Sequence, residues 1–342
     1  MGEGSNKINM KILQNKYFKN LTTFRIGGKI KYYAEVKGKK EIEEIVCFAK
    51  SNHLKVFIIG GGSDFLVSDK LYDGLVIKFT GTGVSISGDS ITAEAGMSWD
   101  KLVEYSVKNN FQGIECLSGI PGTVGAAPIQ NIGAYGQELK DTFESLNAFD
   151  ITKENFVKFN KEDCGFGYRE SIFKQKSHWQ KYLITDITLR LHKNGKPTVN
   201  YESLNGRVKE NPSLLDVRNA ILAVRKERLE DPNIVGNAGS FFKNPIVDKN
   251  KKEQLEKDFP GIKIFPFGEK YKVFSGFLIE NAGWKGKNLG SVGVSPKHAL
   301  IIINKSGNAK ASDVIKLSNK IVEDVDKMFG LRLEPEVQMI NF

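Results

Sequence analysis

The sequence predicts an α+β protein built in three parts, and three observations predict it. A strand, a helical stretch and a second apolar strand that runs into a glycine turn occupy residues 20 to 76. Short β-rich pieces interrupted by helices fill residues 77 to 225. The segment opening with "VGNAGSFFKNPIV" then leads to one long amphipathic helix and a closing β piece, "LEPEVQMI".

In order, "KYYAEV" (31–36) alternates as a strand does, and "KKEIEEIVCFAKSN" places Ile42, Ile45, Val46 and Ala49 at helical spacing. "KVFIIGGGSDFLVSD" is a strand that breaks at its glycines, which completes a βαβ-type unit. "GLVIKF" and "VSISGDSITAEAG" read as strands, and Ser98 stands where it would cap a helix over "SWDKLVEYSVKNN". "FESLNAFDI", "ENFVKF" and "YLITDITLRLH" are further strands. Leu214, Val217, Ile221 and Val224 share one face of a helix over 212–229, with Pro212 in its first turn. Val314, Leu317, Ile321, Val325 and Met328 mark the last helix, and the closing strand is expected to return to an earlier sheet.

The 342 residues carry 40% hydrophobic and 26% charged side chains, the composition of a soluble globular protein. A formal charge of +10 attracts nucleic acid, acidic membrane or an anionic small ligand. The lysines are scattered among acids and form no stripe with stacking aromatics, so no nucleic-acid partner is expected. Trp99, Trp179 and Trp284 are likewise spread out, as core or domain-edge residues are. Cys47, Cys116 and Cys164 are far apart and unpaired by any metal spacing, which fits reduced thiols in a cytoplasmic protein. No apolar run has the length of a membrane span. "MGEGSNKINMK" lacks the apolar centre of a signal peptide, so export is not expected.

Two glycine-rich stretches carry the chemistry. "GGGSD" (Gly60, Gly61, Gly62, Ser63, Asp64) follows an apolar strand but matches neither the P-loop nor the dinucleotide template. It is either a plain tight turn or an anion nest of main-chain N–H groups. "IPGTVGAAPIQNIGAYGQE" (120–138) strips side chains from its backbone while keeping Ile120, Val124, Ile129 and Ile132 for packing. That pairing describes a rigid loop that lets a flat or charged ligand approach main chain, with Gln130 and Asn131 adding amide donors.

With "GYRESIFK", "GNAGSFFKNP" and "LEPEV" following these two stretches, in that order and at these separations, the chain resembles the UDP-N-acetylenolpyruvoylglucosamine reductases from about Thr22 to Ile340. The resemblance implies a two-part FAD-binding fold of the vanillyl-alcohol-oxidase type plus a third, α+β, substrate-binding domain. The expected boundaries are 1–76, then 77–225 with the C-terminal strand 331–342, then 226–330. It also implies NADPH-dependent reduction of the enolpyruvyl group of UDP-N-acetylglucosamine enolpyruvate, in peptidoglycan precursor synthesis, by a monomer that needs no metal and no membrane. By the same resemblance, Gly60 to Asp64 line the FAD diphosphate with Gly122, Thr123, Gly125, Ala126 and Ala127, while Gln130, Asn131 and Ile132 lie nearer the isoalloxazine. His53, His178, His192 and His298 all stand away from the glycine turn, so the flavin is expected to be noncovalent.

Reducing an enolpyruvyl double bond requires a hydride at C3, a counter-charge for the resulting carboxylate-conjugated carbanion, and an acid at C2. Arg169 of "GYRES" suits the second task, because a planar fork grips a carboxylate bidentately; alone, such an arginine is more often a surface ion pair. Glu336 matches the family's assisting carboxylate, and Ser240 its proton donor. Glu334 would share a strand face with Glu336, so residue chemistry does not choose between them; the motif register does. Phe241 and Phe242 are expected to wedge the serine strand into the third domain. For the anionic substrate, the matching positions are Arg228, Lys272, Asn244 and Tyr201, the last in a tyrosine loop of one subgroup; Lys243 lies alongside. Glu230 stands where the family has a proline, which leaves the local loop shape open. Another FAD enzyme of the same fold, acting on a sugar or alcohol, is the nearest rival, and a basic nucleic-acid-binding protein the more distant one.

Overall fold

A computed structural model describes residues 11–199 and 204–342. The chain forms two compact units. The first comprises Ile30–Gly61 and Leu71–Arg225, with the described residues up to Lys16; the second comprises Tyr17–Lys29, Gly62–Lys70 and Lys226–Phe342.

In the first unit, Lys29–Val36, Tyr72–Phe79 and Lys55–Ile59 pair in parallel, with Tyr72–Phe79 central. The helix Lys39–Ser51 makes the crossover and buries Ile42, Ile45, Val46 and Ala49, the face its spacing predicts. The residues that follow build an antiparallel sheet in the order Asn155–Asn160, Phe143–Asp150, Tyr182–Arg190, Ser90–Glu94 and Val84–Ser87. One continuous core runs through both sheets, from Ala34 and Ile42 through Leu75 and Ile91 to Phe149 and Ile187, so the stretches 30–61 and 71–225 fold as one body. Trp99 opens a helix to Lys108 with Ser98 at the cap position, though no side-chain cap bond forms there. The helix expected over 212–229 spans Leu214–Arg228. Pro212 lies outside it because Ser213 is the cap, trading bonds with Asp216 (Ser213 N–H to Asp216 Oδ2, 2.7 Å; Asp216 N–H to Ser213 Oγ, 3.1 Å).

The second unit holds an antiparallel sheet in the order Gly236–Ser240, Ile301–Asn304, Val292–Val294 and Asn288–Leu289. A smaller sheet of Ile246–Val247, Lys270–Val273 and Ile264–Phe267 accompanies it. The helix Ala311–Phe329 lies on this core through Val314, Leu317, Ile321 and Val325. Its last buried turn is completed by Phe329 (3% exposed) and not by Met328 (46%), because the apolar stripe advances four residues beyond Val325. The closing strand is Gln338–Ile340, shorter than expected, and it pairs in parallel with Phe65–Val67. It therefore belongs with the second unit and not with residues 77–225: its partner is a segment that the chain has already delivered there.

Candidate functional site

Gly60 and Gly61 meet the second glycine stretch inside the first unit, Gly61 main chain to main chain. A Cβ on Gly61 would lie 2.7 Å from Gly122 Cα, and one on Gly60 would lie 2.7 Å from Thr123 Oγ1 and 3.1 Å from Ala126 Cβ. Real Cβ atoms do not approach so closely, so the glycines are required by contact. Val124 and Ala127 anchor the second stretch in the core. Its donors are partly spent: the N–H groups of Val124, Gly125 and Ala126 bond the carbonyls of Met97 (2.8 Å), Ala95 (2.9 Å) and Thr123 (3.0 Å). Gly125 and Ala126 thus contribute small size and not free donors. Ile132 is half-buried against the core beside Ile129. Gln130 keeps a buried Oε1 with no partner among the described residues, an acceptor that a bound ligand would satisfy. Bare backbone in close apposition beside an orphaned amide oxygen fits a dinucleotide such as FAD.

Asn131 does something other than the contact expected of its amide. Fully buried at φ +45°, it donates from Nδ2 to Gly167 O (2.9 Å) and Glu138 Oε2 (3.2 Å), and its Oδ1 accepts from Lys140 N–H (2.9 Å). Ser171 Oγ donates to Ile129 O (2.6 Å). The "GYRES" turn is therefore welded to the glycine loop. Arg169 sits in that turn at φ +54°, a conformation disfavoured for a side-chain-bearing residue and held here by the Gly167–Glu170 bridge and by Lys174 Nζ on Arg169 O (3.1 Å). Its Nη2 donates to Gly133 O (2.7 Å), and its guanidinium lies over the Tyr168 ring. One edge of the fork fixes the residue to the loop.

In the second unit, Gly62 O accepts from Thr23 N–H (3.0 Å), and Asp64 receives Gln338 through main chain (3.0 Å) and Nε2 (3.1 Å). Ser63 belongs to the same short turn. Ser240 is exposed at the end of its strand, while Phe241 and Phe242 beside it are 1% exposed and packed in the core, the wedge the sequence predicts. Glu336 N–H donates to Phe241 O (2.8 Å), which sets Glu336 next to the serine strand. Glu334 and Glu336 flank Pro335, which makes an isolated bridge with Phe242 and belongs to no longer strand. They differ in surroundings: Glu334 is 77% exposed and lies 3.9 Å from Lys243 Nζ, whereas Glu336 is half-buried. Asn244 Oδ1 accepts from Ser275 N–H (2.9 Å), and Lys272 Nζ lies 4.3 Å from the Phe267 ring centre. Arg228 is exposed. Tyr201 lies outside the described residues.

Residue patterns did not single out His298, which the fold sets among Arg228, Lys285 and Glu280. Burial first, then the Lys285 and Arg228 cations, hold its pKa below the ordinary histidine value, with Glu280 opposing. Glu230, the departure from the family's proline, accepts from Ser295 Oγ (2.7 Å) and lies 3.7 Å from Lys297 Nζ, so a side chain does the loop-holding there. Only a position-by-position contrast with the family pattern signalled it. Among the described residues no cluster of His, Cys, Asp and Glu is arranged to hold a metal, and no helix is long and apolar enough to cross a membrane.

Residues 230–340 match the UDP-N-acetylenolpyruvoylglucosamine reductase C-terminal domain, and residues 30–157 match an FAD binding domain. The UDP-N-acetylenolpyruvoylglucosamine reductase of Pseudomonas aeruginosa is 39% identical over 96% of this chain and 99% of its own, and that of Flavobacterium johnsoniae 40% over 97% and 100%. The chain belongs to the UDP-N-acetylenolpyruvoylglucosamine reductase family. The crystal structure of the reductase from Thermus caldophilus superposes with a TM-score of 0.70 at 24% identity, covering 97% of this chain and 99% of that one, and so shares its fold. For this reductase-family chain the fold is accordingly the two-part FAD-binding one with a third domain, and the cofactor is FAD.

Proposed function

We propose that the protein reduces UDP-N-acetylglucosamine enolpyruvate to UDP-N-acetylmuramate at the expense of NADPH. The observation that carries this reading is the fixing of Arg169 to Gly133, at the far end of the bare-backbone loop. Gly60, Gly61, Gly62, Ser63, Asp64, Gly122, Thr123, Gly125, Ala126, Ala127, Gln130 and Ile132 would hold FAD noncovalently, in a loop that Asn131 braces, and the bound flavin would supply the hydride that C3 receives. Arg169, fixed by its bond to Gly133 O, grips the substrate carboxylate and offsets the negative charge that grows as C2 becomes carbanionic. Ser240 delivers a proton to C2. A neutral hydroxyl suffices for so basic a carbon if it is held in place. Glu336, beside the serine strand, assists the same enolate or the return of the proton to Ser240. Arg228, Lys272, Asn244 and Tyr201 receive the anionic substrate, and the net charge of +10 draws it in. The protein acts as a cytoplasmic monomer on a small molecule, with no nucleic-acid or membrane partner.

Stopped-flow separates the two halves of this cycle. Ser240→Ala is expected to slow flavin reoxidation by the enolpyruvyl substrate by about 10³-fold or more, while flavin reduction by NADPH persists. Equal losses in both halves would remove Ser240 from its role.

A further inference from the structure

Gly236–Ser240 does not pair regularly with Ile301–Asn304. Asn237 stands opposite Ile303 and Ser240 opposite Ile301, so three steps on one strand face two on the other. One residue is extra, and a β-bulge results. Side chains alternate along a strand, so a one-residue slip exchanges the faces. With the bulge, Ser240 falls into phase with Asn237; without it, the hydroxyl would turn to the opposite side. Phe241 and Phe242, both buried just beyond, leave little freedom to correct such a turn.

The bulge closes at Gly239, whose φ is +73°. A Cβ there would meet nothing within 4 Å, so glycine is required by conformation alone. What holds the conformation is Asn237, 3% exposed. Its Oδ1 accepts the Gly239 N–H (3.0 Å), and its Nδ2 donates to Val235 O (2.9 Å). Its own main chain is gripped on both sides by Thr23: Asn237 N–H donates to Thr23 O (3.1 Å), and Thr23 Oγ1 donates to Asn237 O (2.7 Å). Thr23 N–H in turn donates to Gly62 O (3.0 Å). A buried carboxamide with both ends engaged across a bulge is costly to disturb, because each orphaned group would remain unsolvated.

We propose that Asn237 is a positioning residue for Ser240: its carboxamide locks the bulge that presents the hydroxyl, with Thr23 as the anchor. This deepens the proposed reaction and rests on Ser240 as the proton donor. A hydroxyl displaced by about 1 Å loses on the order of 10²-fold in rate. Asn237→Ala should therefore slow flavin reoxidation by the enolpyruvyl substrate by about 10²-fold, with flavin reduction by NADPH within about threefold. Asn237→Asp keeps an acceptor for Gly239 N–H but turns an oxygen toward Val235 O in place of a donor, so it should recover only part of that loss. Because residues acting as a unit are non-additive, Asn237→Ala made on top of Ser240→Ala should cost nothing further in the residual reoxidation rate, followed over hours by manual mixing. Should Asn237→Ala fail to fold, Gly239→Ala strains the same bulge without a clash and should give the same selective loss. Unchanged reoxidation in Asn237→Ala, equal slowing of both halves, or an additive loss in the double variant would overturn the proposal while leaving Ser240 in its role. Reoxidation at the wild-type rate in Ser240→Ala would overturn the reading beneath it, and the proposal with it.

Discussion

Replacing Gly61 with alanine perturbs the contact on which cofactor binding depends. The new methyl would lie 2.7 Å from Gly122 Cα and 3.1 Å from Gly122 C, both main-chain atoms that have no rotamer to change. Reaching the lower edge of ordinary contact, 3.4 Å, requires the two stretches to part by about 0.7 Å (3.4 − 2.7). Insertion of a methyl into a site that cannot relax costs about 1–3 kcal/mol. If that cost falls on the cradle, FAD affinity drops about fivefold to a hundredfold. Titration of apoprotein with FAD, followed by quenching of flavin fluorescence, reads the change; urea unfolding of the apoprotein reports any share taken by stability. Gly38→Ala serves as the control, since a Cβ there meets nothing within 4 Å and the position is a helix N-cap, where loss of glycine costs about 1 kcal/mol of stability without touching the cradle. Gly61→Ala with wild-type FAD affinity and wild-type stability would refute the reasoning: the stretches would then be free to separate, and their apposition would not be what admits the cofactor.

Asp100 carries a prediction with a sign in pH. Burial alone would raise its pKa, but the Arg218 fork (2.6 and 2.9 Å), the Gly119 N–H (2.6 Å) and the Arg218 and Arg225 charges outweigh it, and the net direction is down. A depressed carboxylate stabilises the fold above its unfolded pKa of about 4, and that contribution is lost as pH falls through the lower folded value. Asp100→Asn should therefore cost about 2 kcal/mol at pH 7, discounted for partial exposure of the carboxylate. The gap between the two urea midpoints should narrow between pH 4 and pH 2; a constant gap would contradict the assignment. Of the three cysteines, Cys47 is exposed, whereas burial pushes the Cys116 and Cys164 thiols up to about 12. An aromatic disulfide reagent at pH 8 should modify one thiol in the native protein and three in denaturant. Rapid native modification of more than one would show that these buried sites open.

Local pattern made much of this molecule legible. The helical faces at Ile42–Ala49 and Val314–Val325, the Phe241–Phe242 wedge and the two glycine stretches all follow from spacing or residue size over a few neighbours. What escaped depends on partners far away in the chain. Nothing in "FLV" at 65–67 announces a pairing with residues 338–340, and nothing in "NAG" announces an extra residue against Ile302. Asn131 looked like a ligand donor because its amide is polar; Glu138 and Lys140 occupy it from 7 and 9 residues on, but Gly167 reaches it from a turn 36 residues on. The spent N–H groups of Val124 and Gly125 were invisible for the same reason: their acceptors, Met97 O and Ala95 O, lie in the turn that follows an earlier strand.

The chain leaves its first body for the second at Tyr17, returns at Ile30, leaves again between Gly61 and Gly62, returns at Leu71, and departs for good after Arg225. During synthesis, the early excursions at 17–29 and 62–70 emerge more than 150 residues before Lys226 begins the body that receives them. Until then Phe65–Val67 offers an open strand edge, whose mate is among the last residues made. The nascent protein is thus committed to a long wait with exposed sticky segments, which slows assembly and calls for protection against misassociation. The same threading means that a contiguous fragment ending at residue 225 carries the first body together with two loops lacking their destination, and that a fragment beginning at Lys226 lacks two pieces of the second.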